Sequence, residues 1–356
     1  RSWRPGHVWP AALGGLALGI IGMSRPLEGV ALAALLGIPV LVVAIRRSRV
    51  GALVALGGGT LVTGALGLLY NRMITGSLLT FPAERYFDRA YGPGRYGIGF
   101  GPTRGVGWTG LDPFTGHGPI DVAVNAVLNS FMVNVELFGW WTGSVALVAL
   151  GVFASRNGVD RMMVAAVAVI VGAHSFYWFS GGPDFGARYW YLIIVPCVVL
   201  AARGLEVLDR GRGATVGGGG APQSGRAHLA ATLLCLAALV DFVPWRGADK
   251  YFRYRMMHPG VREIAARPEL AGGLMLVRGE QHPDWASAVV FNPVDLGSPG
   301  PVFAWDRDTD TRRALLDSFP GRPVWLVSGP SVTGRGFEIV RGPVATDDRP
   351  TLLDRR

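Results

Sequence analysis

Long apolar segments recur along this chain, and arginines cluster in every second gap between them. Seven stretches carry enough hydrocarbon to sit in a bilayer: residues 8–23, 27–45, 50–70, 130–153, 161–179, 189–205 and 227–244. A membrane-crossing helix needs ~20 mostly apolar residues. Lipid offers no partners for backbone N–H and C=O groups, so segments of this kind must be helical. The pattern predicts a mainly α fold, a polytopic bundle of about seven transmembrane helices.

Charge orients the bundle. The gaps at 1–7, 46–49, 154–160 and 203–226, with the helix-end Arg161, hold eleven arginines against Asp160, Glu206 and Asp209. The short gaps on the other side hold only Arg25 and Arg188. Basic loops stay in the cytoplasm, so residues 71–129 and 245–356 are expected on the extracytoplasmic face, the C-terminus included. The same asymmetry explains the net charge of +9. Segment 245–356 is nearly balanced, with 16 basic and 14 acidic residues, and offers no basic face of the kind nucleic-acid binding requires. Cys197 and Cys235 both fall in predicted spans and read as packing residues. The chain starts without methionine and reads as a piece of a longer protein whose N-terminal part is missing; its first apolar segment lacks the cleavage site of a signal peptide.

Three regions follow. Residues 1–244 form the membrane part. Within it, 71–129 is a large extracytoplasmic loop, and 206–226, with GGGG at 217–220, is a flexible cytoplasmic linker. The stretch Gly92–Gly118 is rich in glycine, proline and aromatics and predicts turns. From Asp121 to Glu136, the polar residues Asp121, Asn125, Asn129 and Glu136 fall within about an 80° arc of a helix, which predicts an amphipathic helix on or entering the membrane. Residues 245–356 predict a small α/β domain, with helices at 259–267 and 311–318 and strands at Leu274–Val277, Val289–Phe291, Val302–Trp305, Val324–Val327 and Phe337–Val340.

Several residues could carry chemistry. Arg25 sits in SRPLEG, the tight turn between the first two spans, where a guanidinium can hold a phosphate bidentately or simply anchor a helix end. Arg188, in SGGPDFGARYWYLIIVP, has Asp184 four residues earlier and Tyr189 beside it, either as a shaped binding loop or as part of an interfacial aromatic belt. Glu136 lies at the edge of the fourth span, at membrane depth or at headgroup level. Glu84 and Asp88 share a helical face with Arg85 and Arg89, and with His117 they could grip sugar hydroxyls or a divalent metal; a solvated ion-pair face is the plainer reading. HExxH, Walker, GxSxG and CxxC motifs are absent from the sequence. GIGFGPTRG does not sit in a βαβ unit, so it is no dinucleotide fingerprint.

SRPLEG between two spans, YNRMITGSLLTFPAERY after the third, GHGPIDVAVNAVLNSFMVNVELFGWW before the fourth and GGPDFGARYWYLIIVP before the sixth together resemble the C-terminal two-thirds of a bacterial GT-C type integral-membrane glycosyltransferase. The likeness is to the dolichyl-phosphate-mannose-protein mannosyltransferase (family 39) branch. The closing segment VVFNPVDLGSPGPVFAWDRDTDTRRALLDSFPGRPVWLV resembles the terminal extracytoplasmic domain of uncharacterised bacterial members. The resemblance implies a multi-pass enzyme of the bacterial plasma membrane. It would move a mannose-like hexose from a polyprenyl-phosphate donor to a glycan or protein acceptor outside the membrane, by an inverting displacement. By similarity, Arg25 becomes a candidate for the donor's lipid phosphate, and Arg188, in an arginine-tyrosine pattern like the family's, for donor phosphate or sugar. Asp184, Tyr189, His117 and Glu136 are candidates for substrate contact on their residue types and positions alone. The family's general base belongs to a loop this chain lacks, so no base is carried over; Glu84 and Asp88 are substitutes without family support. No cofactor beyond a possible divalent metal is implied. A flippase of lipid-linked glycan and a non-catalytic scaffold with an outer binding domain are the competing classes. The chain shows no internal repeat of the transporter kind.

Overall fold

The structure is a computed structural model that describes residues 8–46, 50–107, 112, 116–181, 185–213, 225–254 and 257–353. It divides into two compact units, Arg1–Phe242 and Val243–Arg356.

The first unit is helical. Its elements are α1 (Trp9–Ser24), α2 (Pro26–Leu32), α3 (Ile38–Arg46), α4 (Val50–Thr75), α5 (Pro82–Tyr91), α6 (Pro119–Glu136), α7 (Ser144–Ala154), α8 (Gly158–His174), α9 (Ile194–Gly213) and α10 (Arg226–Val240). A π-helical turn, Ala33–Gly37, joins α2 to α3 without a break in the rod. Among the described residues, four helices are long and apolar enough to cross a membrane: Pro26–Arg46, Val50–Thr75, Arg188–Arg210 and Arg226–Tyr251. Trp9–Ser24 and Ser144–Ala154 are apolar but shorter. The expectation of about seven spans is therefore shown only in its coarser form, a helical chain with several membrane-length helices. Part of the difference has a clear cause. The stretch 130–153 is not one rod: α6 ends at Glu136 and α7 begins at Ser144. Between them Gly139, Trp141 and Gly143 all take positive φ, which no α-helix can contain.

Small residues set the helix spacing. A side chain at Gly15 would run into the Leu56 carbonyl, and one at Gly59 into the Ala12 carbonyl. So α1 and α4 touch backbone to backbone. Thr60 Oγ1 donates to the Gly15 carbonyl at 3.2 Å, and Thr63 Oγ1 to the Leu16 carbonyl at 3.3 Å. Helices in lipid gain little by hiding apolar surface from one another, so close backbone approach and hydroxyl bonds of this kind hold them together. α7 and α9 meet in the same way at Gly151 and Gly204.

The polar stripe of α6 faces the protein. Asn129 is buried, and Asn125 Nδ2 donates to the Trp178 carbonyl at 3.2 Å. Ile120, Val127 and Phe131, on the opposite side, are exposed. The helix is amphipathic, as expected, with its apolar side outward.

The second unit holds one four-stranded sheet in the order β2-β1-β3-β4, formed by β1 (Leu274–Arg278), β2 (Val302–Trp305), β3 (Val324–Ser328) and β4 (Glu338–Val344). β1 is parallel to both β2 and β3, and β4 is antiparallel to β3. Leu274 to Val277 are wholly buried, as a strand covered on both faces requires. Alternation divides them: Met275 and Val277 pack with Val261, Ile264 and Phe303, while Leu274 and Leu276 pack with Val302, Leu316 and Leu352. The strand expected at Val289–Phe291 is instead the last residue of helix His282–Val289 and the turn that follows it. Three apolar residues in a row fit either state, and the proline at the first turn of this helix decides it. On the second face Asp306 and Arg312 form a buried ion pair, and Arg312 Nη1 also donates to the Leu352 carbonyl at 2.6 Å.

Candidate functional site

Arg25 is the one residue between α1 and α2 and is non-helical, with φ −143° and ψ 83°. Pro26 follows at the first helical position, where its missing N–H costs nothing. This geometry brings Glu28, one turn on, beneath the guanidinium: Arg25 Nη1 lies 2.8 Å from Glu28 Oε1. Glu28 is buried. His174, at the end of α8, approaches the same oxygen, with Nε2 at 3.6 Å. That is too long for a hydrogen bond, and both ring nitrogens of His174 are buried without a hydrogen-bond partner.

Aromatic rings wall this group. The Arg25 guanidinium sits 5.0 Å from the Tyr191 ring centre and 5.9 Å from that of Tyr189. The rings of His174 and Tyr189 lie 5.7 Å apart. A cavity of about 540 Å³ opens beside them, lined on its polar side by Arg25, Glu28, Glu84, Tyr96, His174 and Tyr189. Met23, Leu27, Phe81 and Ile98 supply apolar wall. Burial pushes the Tyr96 phenol above its ordinary value, so it stays a neutral hydroxyl. A second chamber of about 10 Å³, the volume of a single water, touches His174 from the other side. It is bounded by His117, Asn125, Asn129, Ser180 and Tyr189. His117 Nε2 is 3.0 Å from the Ser175 carbonyl.

The residues singled out from sequence separate into groups. Arg25, Glu84 and Tyr189 line the large cavity. Arg188 does not line it, but is tied to it through Tyr189: its Nη2 donates to the Tyr189 hydroxyl at 3.2 Å, and its guanidinium stands 5.0 Å from the same ring. Phe179 and Phe185 complete its surroundings. His117 belongs to the small chamber. Glu136 lies against the backbone of Gly186, where a β-carbon would come within 2.6 Å of its Oε2. Asp88 accepts the Gly94 N–H at 3.1 Å within its own loop and does not line the cavity. Asp184 lies outside the described residues. Among the described residues, no group of three or more His, Cys, Asp or Glu could hold a metal ion.

Glu28 and His174 were missed in the sequence. The signal was present: both are ionisable residues within otherwise apolar helices, where such residues are expensive and mark sites. Glu28 is also three residues from Arg25, a spacing that brings side chains together on a helix.

Elsewhere in the long loop, Asp112 accepts hydrogen bonds from Val106 N–H at 3.0 Å and Gly107 N–H at 2.8 Å. Burial raises its carboxyl above the ordinary aspartate value despite those donors.

No protein-family model, curated protein or solved structure matches this chain.

Proposed function

We propose that this chain is a membrane glycosyltransferase that takes a hexose from a polyprenyl-phosphate donor and passes it to a glycan or protein acceptor. The observation that carries the reading is Arg25 beside a cavity of about 540 Å³ among apolar helices, with hydroxyl and carboxylate groups on the same wall. A lipid-linked sugar has matching parts: a phosphate for the guanidinium, hydroxyls for Glu84, Tyr96 and Tyr189, and a prenyl chain for the apolar side. In the reaction, an acceptor hydroxyl attacks the anomeric carbon, its proton passes to a carboxylate on the cavity wall or to the departing phosphate, and the bond from that carbon to the phosphate oxygen breaks, releasing polyprenyl phosphate. Negative charge then grows on the leaving phosphate, where a fixed cation lowers the barrier most. Of the two loop carboxylates, Glu84 lines the cavity and Asp88 does not, so Glu84 is the one a bound sugar meets. The distribution of arginines supports a multi-pass arrangement with Arg25 and Arg188 at the outer boundary; a bacterial plasma membrane, with the C-terminus extracytoplasmic, is the location that goes with this reading.

The test is transfer of label. The full-length protein in membrane vesicles, given a radiolabelled polyprenyl-phosphate hexose, should move label into glycan or protein. Label that crosses the membrane still attached to its lipid makes the protein a flippase. Label that stays in the donor on its original side, whatever the sugar, leaves only a binding scaffold.

A further inference from the structure

We propose that Glu28 and His174 belong to the phosphate site together with Arg25, and that a phosphodiester binds there along with one proton, taken up by His174. This rests on the phosphate-lipid reading of the cavity.

Charge balance makes the case. Without ligand, Glu28 and Arg25 neutralise each other at 2.8 Å, and the imidazole next to them can remain uncharged. A guanidinium has five N–H donors, so Arg25 can keep Glu28 and still grip a phosphate oxygen. The bound group then contains one cation and two anions, with Glu28 and His174 both buried. A surplus buried charge is costly unless something pairs with it.

His174 is placed to supply the missing positive charge. Its Nε2 is 3.6 Å from the same Glu28 oxygen that Arg25 holds. Both ring nitrogens are buried and lack hydrogen-bond partners, so an added proton breaks no existing bond and gains a carboxylate at contact range. The other groups facing it do not compete. Tyr177 and Tyr189, with ring centres 6.5 Å and 5.7 Å away, are phenols. Tyr96 is a neutral phenol on the same cavity wall. His117, across the small chamber, already has Nε2 at the Ser175 carbonyl. Arg188 does not line the cavity. Imidazole is also the side chain whose charge changes most readily near neutral pH.

The probe is mannosyl farnesyl phosphate, a diester whose phosphate carries no titrating proton near pH 7, so any proton taken up belongs to the protein. The full chain in nanodiscs is titrated with it by calorimetry at pH 7 in two buffers of different ionisation enthalpy. Wild type should take up close to one proton per diester bound. H174Q should take up less than about a tenth of a proton and bind more weakly at pH 7. E28Q should also take up almost none, because Arg25 alone then balances the diester; this arm decides the matter should H174Q fail to fold. Binding by wild type without proton uptake overturns the inference and leaves the phosphate-lipid reading standing. Uptake that persists in both variants overturns the assignment to His174. Absence of any binding overturns both. Mannosyl methyl phosphate, which keeps the sugar and lacks the prenyl chain, separates the sources: binding at least ~100-fold weaker, with the same uptake, assigns the site to a lipid-borne phosphodiester, two factors of ten being the contribution of the prenyl chain. Equal affinity keeps the proton-linked site and removes the lipid.

Discussion

Gly151 on α7 lies directly against the backbone carbonyl of Leu200 on α9, so close that any side chain at position 151 would occupy the oxygen's place. The contact is reciprocal, since Gly204 meets the Leu147 carbonyl one turn along. Gly151→Val should therefore push the two helices apart. Overpacking of a close contact costs about 1–3 kcal/mol. Thermal unfolding of the detergent-solubilised protein should show a lower midpoint for Gly151→Val and an almost unchanged one for Gly158→Ala, where the added carbon meets nothing.

Arg25 and Arg188 should differ in how they fail. Arg25 lines the cavity and Arg188 reaches it only through Tyr189. Loss of a charge that stabilises the leaving group costs about 100-fold or more in rate. Arg25→Ala should lower kcat by about that factor, and Arg25→Lys should restore only part of it because the fork of donors is lost. Arg188→Ala should act mainly on donor KM, by about 10-fold or less, the scale of one released hydrogen bond. Label-transfer kinetics separate the two; a larger kcat loss in Arg188→Ala reverses the assignment.

Asp112 gives a pH signature. Its carboxyl binds a proton more tightly in the folded loop than in the unfolded chain, because burial disfavours the charge. Its contribution to stability is thus fully present below the ordinary aspartate value of about 3.9 and is lost as pH rises through the higher folded value. Carboxyl-carbon NMR of the labelled protein should place its midpoint above the ordinary value. Asp112→Asn should remove this part of the pH dependence from the loop's unfolding.

Breaking the Asp306–Arg312 pair should be worse than removing it whole. Both side chains are buried, and a lone buried charge costs about 3–5 kcal/mol, whereas apolar replacement of both partners is often neutral. Asp306→Leu alone should lower the unfolding midpoint of the C-terminal unit sharply. Asp306→Leu with Arg312→Met should recover most of it.

Much of the architecture was legible in the chain. The parallel strands announced themselves as unbroken apolar runs, because a strand covered on both faces needs no polar alternation. Arg25 stood out because a single arginine in a tight turn between greasy segments is conspicuous. Its partners did not. Glu28 and His174 are each one polar residue in an apolar window, and hydropathy averages them away. What unites them is a tertiary coincidence, α2 lying beside α8, that no local pattern encodes. The break between α6 and α7 was hidden for a similar reason: Gly139, Trp141 and Gly143 are as apolar as a span, and only their backbone angles reveal that the helix stops. Val289–Phe291 misled because three residues are too few to distinguish a period of 2 from one of 3.6.

The inward-facing amides of α6 have a consequence for biogenesis. Asn125 finds its acceptor at Trp178, which is synthesised 53 residues later. When α6 first leaves the ribosome, its polar edge has nothing to bond except water or headgroups, and hydrocarbon would be a poor place for it to wait. The helix is therefore expected to lodge at the water boundary and roll into the bundle once the segment that follows α8 arrives. A nascent chain halted before residue 178 should leave a cysteine at position 125 open to a water-soluble maleimide, and one released beyond α9 should not.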